Sequence, residues 1–173
     1  MKKQFKIVVQ EAKKNLDQVK KSMESVMPEL RREIPDQIRT RTRLGGGVDH
    51  DGKDRLGGNR KKLAGLSAGY KKTRKRYSSN LSSDTTVSKS NLTATGQLLD
   101  AIKAKIVGRK SLEIFLEKNR SVDLYGNSAK INNEQLAEYV EEKRKFFGLT
   151  DGEMNKFRRM IREKIESDLL KLK

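Results

Sequence analysis

The chain has 173 residues, a formal net charge of +17 and neither cysteine nor tryptophan. Its length suits one domain with an appended arm, and 34% apolar against 36% charged residues leaves only a modest core. Disulfides, thiolate nucleophiles and cysteine metal sites are excluded. No run approaches the roughly 20 apolar residues of a membrane span, and the apolar run at the start breaks after Val9, short of a signal peptide's roughly 7–15 residues.

From Val9 the apolar residues fall at Val9, Ala12, Leu16, Val19, Met23, Val26 and Leu30. Steps of three and four make a heptad-like stripe on one helix face. The pattern predicts a helix from about Gln4 to near Met27. Pro28 is expected to end or kink it, and a shorter helical piece runs from Pro28 until Pro35 intervenes. Residues 1–38 then read as an N-terminal helical arm and 39–173 as a single α+β domain.

Residues 39–76 hold thirteen cations and three aspartates, a local charge of +10. Such a balance points to a polyanionic partner or an anionic neighbour, or serves solubility alone. Six glycines between Gly45 and Gly58 predict a flexible loop over about 44–62. The serine-rich stretch 77–91 reads as a second one. Both are expected to be mobile in a free subunit, since neither can bury enough surface to offset its ordering entropy. Between them Lys71, Lys72, Arg74, Lys75 and Arg76 lie between Tyr70 and Tyr77. Cations meet phosphates and aromatics stack on bases, so this cluster is a candidate polyanion contact, with non-specific DNA as one such partner. No sequence-specific nucleic-acid motif accompanies it.

Thr93 or Thr95 is placed to cap a helix carrying Leu98, Leu99 and Ile102. Gly96 falls in its first turn, where packed neighbouring backbone would forbid a side chain. The period then changes to two. Ala104 and Ile106, a turn at Gly108-Arg109-Lys110, and Leu112, Ile114 and Leu116 predict a hairpin. Val122, Leu124 and Tyr125 fit a further short strand. Leu136, Tyr139, Val140 and Arg144 mark a helix that Asn132 or Asn133 caps. Thr150 and Glu153 form a capping-box pattern ahead of a last helix with Met154, Phe157, Ile161, Ile165 and Leu169 on one face. Phe146, Phe147 and Leu149, the densest apolar cluster, plug the hairpin against the helices.

Candidates for chemistry fail on spacing. His50, the only histidine, lies in the glycine-rich loop, where nothing positions a catalytic base. The run from Asp49 to Asp54 has its glycine at position 4, and Arg60 stands where an EF-hand needs glutamate. Neither glycine cluster has P-loop order. Glu141 and Glu142 are adjacent on a helix and diverge. The chain reads as a non-enzyme with no cofactor.

Three motifs in order carry a resemblance. They are Leu63, Leu66, Ser67, Tyr70 and Arg74; Leu92, Thr95, Gly96, Leu98, Ala101 and Ile102; and Arg144, Phe146, Phe147, Gly148, Leu149 and Thr150. Their spacing resembles tailed-phage neck and tail-completion proteins, in the virion morphogenesis and head–tail joining families. Glycine-rich and serine-rich insertions before Leu63 and Leu92 depart from the pattern. The resemblance implies an α+β fold of a long N-terminal helix, a small antiparallel β-sheet and C-terminal helices. It implies a homo-oligomeric ring, hexameric in such families, of the virion neck, assembled in the host cytoplasm with tail-tube or connector proteins. Leu92, Thr95, Gly96, Leu98, Leu99, Ile102, Phe146, Phe147, Gly148 and Leu149 would be its framework.

Overall fold

One helix of 42 residues, α1 (Lys2–Arg43), carries the last helix and the hairpin of the fold. The computed structural model of the chain describes residues 2–48, 63, 65–89, 91–108 and 111–171, with side chains from Lys14 onward. After α1 come α2 (Ala68–Arg76), a 3-10 turn (Ser78–Asn80), α3 (Gln97–Asp100), β1 (Ile102–Val107), β2 (Ser111–Leu116), α4 (Asn133–Glu141) and α5 (Asp151–Leu170). The fold is mixed α+β: β1 and β2 form a two-stranded antiparallel sheet, registered from Ile102 opposite Leu116 to Val107 opposite Ser111. His50, the run 49–54, Arg55, Arg60, Lys61, Lys62, Arg109 and Lys110 lie outside the described residues, as do the side chains of Val9 and Ala12.

α1 runs unbroken through Pro28 and Pro35, which corrects the expected break. Each proline removes one backbone bond and costs about 3 kcal/mol in a helix interior. Val26, Met27, Leu30, Ile34 and Ile38 are all buried, and each such side chain contributes about 1.5–3 kcal/mol on burial. Five of them outweigh two prolines. The boundary expected at residue 38 therefore falls inside a helix, and these five residues share one core with Leu99, Ile102, Phe146 and Phe157.

α5 lies antiparallel to α1. Ser22 Oγ donates to Asp168 at 2.9 Å near one end, and Gln37 Nε2 donates to Glu153 at 3.4 Å near the other. The hairpin rests its Ile102, Ala104 and Leu116 face on α1. Its outer face is solvated, with Lys105 paired to Glu113 at 3.0 Å. Toward the start of α1 the stripe emerges: Leu16 is 56% exposed, and Leu170 on α5 is 66% exposed.

Phe146 is fully buried and meets Phe147 edge-on, with ring centroids 6.2 Å apart. Both expected caps are present: Asn132 caps α4 through a reciprocal box with Gln135, and Thr150 caps α5 with Glu153. Two other expectations are corrected. Neither Thr93 nor Thr95 caps α3; Gly96 is its N-cap, at φ +78°. No strand forms at 122–125, where Val122 makes a single bridge to Ser128 around a turn.

Candidate functional site

Three buried features hold the frame, two of them beside α2 and one between α1 and α5. The first is Arg74. Ser67 caps α2 by accepting from the Tyr70 N–H at 3.2 Å, and the helix then aims Arg74 inward while Lys71, Lys72, Lys75 and Arg76 stay exposed. Arg74 is 2% exposed. It donates to the Lys89 carbonyl and to Thr85 Oγ1, both at 2.8 Å, and lies over the Tyr70 ring. Burial lowers its pKa from the ordinary guanidinium value, and Tyr70 opposes that shift. The expected polyanion cluster is thus corrected by one residue: Arg74 is a structural clamp. Its charge is legible in sequence; its direction is not.

The second is Asn91, also fully buried, which bonds Thr85 Oγ1 at 2.7 Å and the Asp84 carbonyl at 3.0 Å. Ser82 N–H reaches the Ala94 carbonyl at 2.8 Å, and Arg43 pairs with Asp84 and Asp100 at 3.0 Å each. The serine-rich stretch is irregular, as expected of a loop, yet its backbone is pinned at both ends of this network. The network holds Leu92 at φ +56°, a conformation costing a leucine about 1–2 kcal/mol.

The third is Arg41, which forms a buried ion pair with Glu153 and donates to the carbonyls of Phe146 and Gly148. Gly148, at φ +125°, supplies the backbone turn that only glycine adopts cheaply. Glu141, adjacent to Glu142 and unsuited to acid–base chemistry, accepts from the Phe146 and Phe147 N–H groups at 2.8 and 2.7 Å.

Between α2, the 92–98 segment and α4 lies an open cleft of about 790 Å³. Leu66, Leu92, Leu98, Leu124, Leu136 and Val140 are its apolar lining, with Tyr70 and Tyr139 beside them. Among the described residues every charged one lining it is a cation: Arg74, Arg120, Lys143 and Arg144. Residues from all three sequence motifs meet here, namely Leu66, Ser67, Tyr70 and Arg74, then Leu92, Thr95 and Leu98, then Arg144. Leu99, Ile102 and Phe146 instead enter the core; Phe147 and Leu149 pack on it. Sequence offers no sign of the cleft itself, because Leu124 and Arg120 arrive from a segment that reads as a strand or as nothing and folds as a turn. Gln97 fixes that turn, accepting from Ser121 N–H at 2.7 Å and donating to the Val122 carbonyl at 3.0 Å.

Among the described residues no cluster of three or more His, Asp or Glu is placed to hold a metal, and no helix is long and apolar enough to cross a membrane. Comparison with protein-family models, with curated proteins and with solved structures finds no match for the chain.

Proposed function

We propose that the chain is a structural subunit of a tailed-phage virion, a ring protein of the neck that completes the tail or joins it to the head. The observation that carries this reading is what the motif residues do. Leu63, Leu98, Ile102 and Phe146 are buried in one core, Ser67 and Thr150 cap helices, and Gly96 and Gly148 hold positive φ. Their identities are accounted for by maintaining a frame, which leaves function to surfaces. The emergent end of α1, with Leu16 uncovered, offers one such surface to a neighbouring subunit. Its partners are further copies, in a hexameric ring by resemblance, and tail-tube or connector proteins. Negative-stain microscopy with light scattering tests it, on the protein alone and mixed with tail tubes or connectors. Closed rings are expected; a protein that stays monomeric in every mixture overturns the reading.

A nucleic-acid-binding accessory role is the second reading, supported by the four cations that α2 turns outward, Lys71, Lys72, Lys75 and Arg76. Phosphate neutralisation would give a steep fall of duplex affinity with salt. Flat salt dependence removes it.

A further inference from the structure

We propose that the cleft between α2 and α4 is a docking site for a short acidic segment, bearing large aliphatic or aromatic side chains, of a different protein. The inference goes beyond the ring reading and does not depend on it. The apolar lining alone would not choose an occupant; the charge does. Besides Ala94, six larger aliphatic side chains line the cleft, and among the described residues the only charges in the lining are Arg74, Arg120, Lys143 and Arg144. The acids of α4 do not line it. Arg74 and Arg120 each hold a buried Nε with no hydrogen-bond partner among the described residues. Charges partly withdrawn from water interact more strongly with an arriving carboxylate than solvated surface cations do.

Size and overall charge narrow the choice. A volume of about 790 Å³ is within the roughly 300–1,000 Å³ typical of ligand clefts, room for a few side chains rather than a folded domain. A second copy is a poor counter-ion, since the chain carries +17. Nucleic acid would satisfy the cations and has Tyr70 and Tyr139 for stacking, but it would gain little from the leucine and valine side chains that dominate the lining. An acidic peptide with apolar anchors matches both halves of the cleft, as in helix-in-groove recognition. Tyr139, 66% exposed at the edge, and exposed Lys143 one turn further along the chain can be changed without opening the core.

The test is a peptide-display selection of random dodecapeptides on the immobilised full chain. Binding of the enriched peptide is then measured by fluorescence polarisation to wild type and to the double variant Tyr139→Glu/Lys143→Glu. We expect enrichment of carboxylates together with large apolar residues, and a loss of at least about tenfold in the double variant, the size of reversing one close interfacial charge pair. Thermal melting of the double variant is expected to match wild type, and the more conservative Lys143→Gln to show a smaller loss in the same direction. Enrichment without acidic bias, or equal affinity for wild type and both variants, overturns the proposal. An oligothymidylate that displaces the peptide and is itself weakened by the same variants makes the cleft a polyanion site and also overturns it. Dissociation of a homo-oligomer by the double variant assigns the cleft to a second copy and overturns it in the same way.

Discussion

Arg41 and Arg74 are both buried guanidinium groups, and they are held in opposite ways. Arg41 has a carboxylate, Glu153, and two carbonyls around it; among the described residues Arg74 has only neutral oxygens and the Tyr70 ring. The Arg41 pair ties α1 to the start of α5 across 112 residues of chain, and it sits inside the core. Arg74 ties α2 to the loop 15 residues later, beside an open cleft. One buried charge is compensated by a carboxylate; the other is held by neutral oxygens at the wall of the cleft. The same side chain type clamps the frame in two different ways.

The comparison can be broken most forcefully at Glu153. Glu153→Gln keeps the shape of the cap but removes the buried carboxylate that faces Arg41, and breaking a buried pair in this way costs about 3–5 kcal/mol. Urea denaturation checks it, and a loss under about 1 kcal/mol would place the pair with weak surface bridges. Arg74→Met removes a charge whose partners are neutral, so its cost is smaller, about 1–3 kcal/mol for the oxygens left unpaired. Hydrogen exchange sharpens the point: amides of 82–94 should exchange faster while those of α5 hold. Uniform acceleration would mean that Arg74 serves the core as Arg41 does.

Gly96→Ala probes the cleft side without touching charge. A side chain there would meet Ser82 and Asp100 only at 3.5–3.8 Å, ordinary contact, so the expected crowding is absent. The strain comes from φ +78° instead, about 1–2 kcal/mol for an L residue. A melting temperature equal to wild type would refute that cause. The mildest effect is expected at Asp168, whose pKa is lowered by hydrogen bonds from Lys164 and Ser22. A carboxylate depressed on folding contributes stability that is complete above its ordinary pKa and lost as pH falls through the folded one. Acid should therefore loosen the Ser22–Asp168 end of the α1–α5 pair. Asp168→Asn should flatten that part of the stability curve, leaving the Arg41 and Arg74 sites unchanged.

How much of the fold is legible in sequence follows from how local the cause is. The hairpin, the Asn132 and Thr150 caps and most of the α5 face are written in short-range spacing, and the structure keeps them, except that Met154 turns to solvent. The continuity of α1 is not local: a proline reads as a stop until Val26, Leu30 and Ile38 are known to be buried against distant elements. Thr93 and Thr95 look like caps because the hydroxyl is visible in sequence and the φ of Gly96 is not. The cleft draws its lining from several separate segments, so no window of sequence contains it; only its motif residues stand out, and they do so as framework.

Two arginines of α1 alter the behaviour of the hairpin. Arg31 Nε donates to the Ala104 carbonyl at 3.2 Å and Arg39 Nη1 to the Ile102 carbonyl at 3.3 Å, alternate residues on the outer side of β1. Leu112 and Ile114, on the outer side of β2, have no such bonds among the described residues. A strand pair exposed on both margins is a monomer for open-ended fibre growth, since each added copy presents a fresh template. Here one margin is occupied by guanidinium groups. Strand addition at β2 would stop after a single step, so the hairpin can accept a neighbour without seeding a polymer.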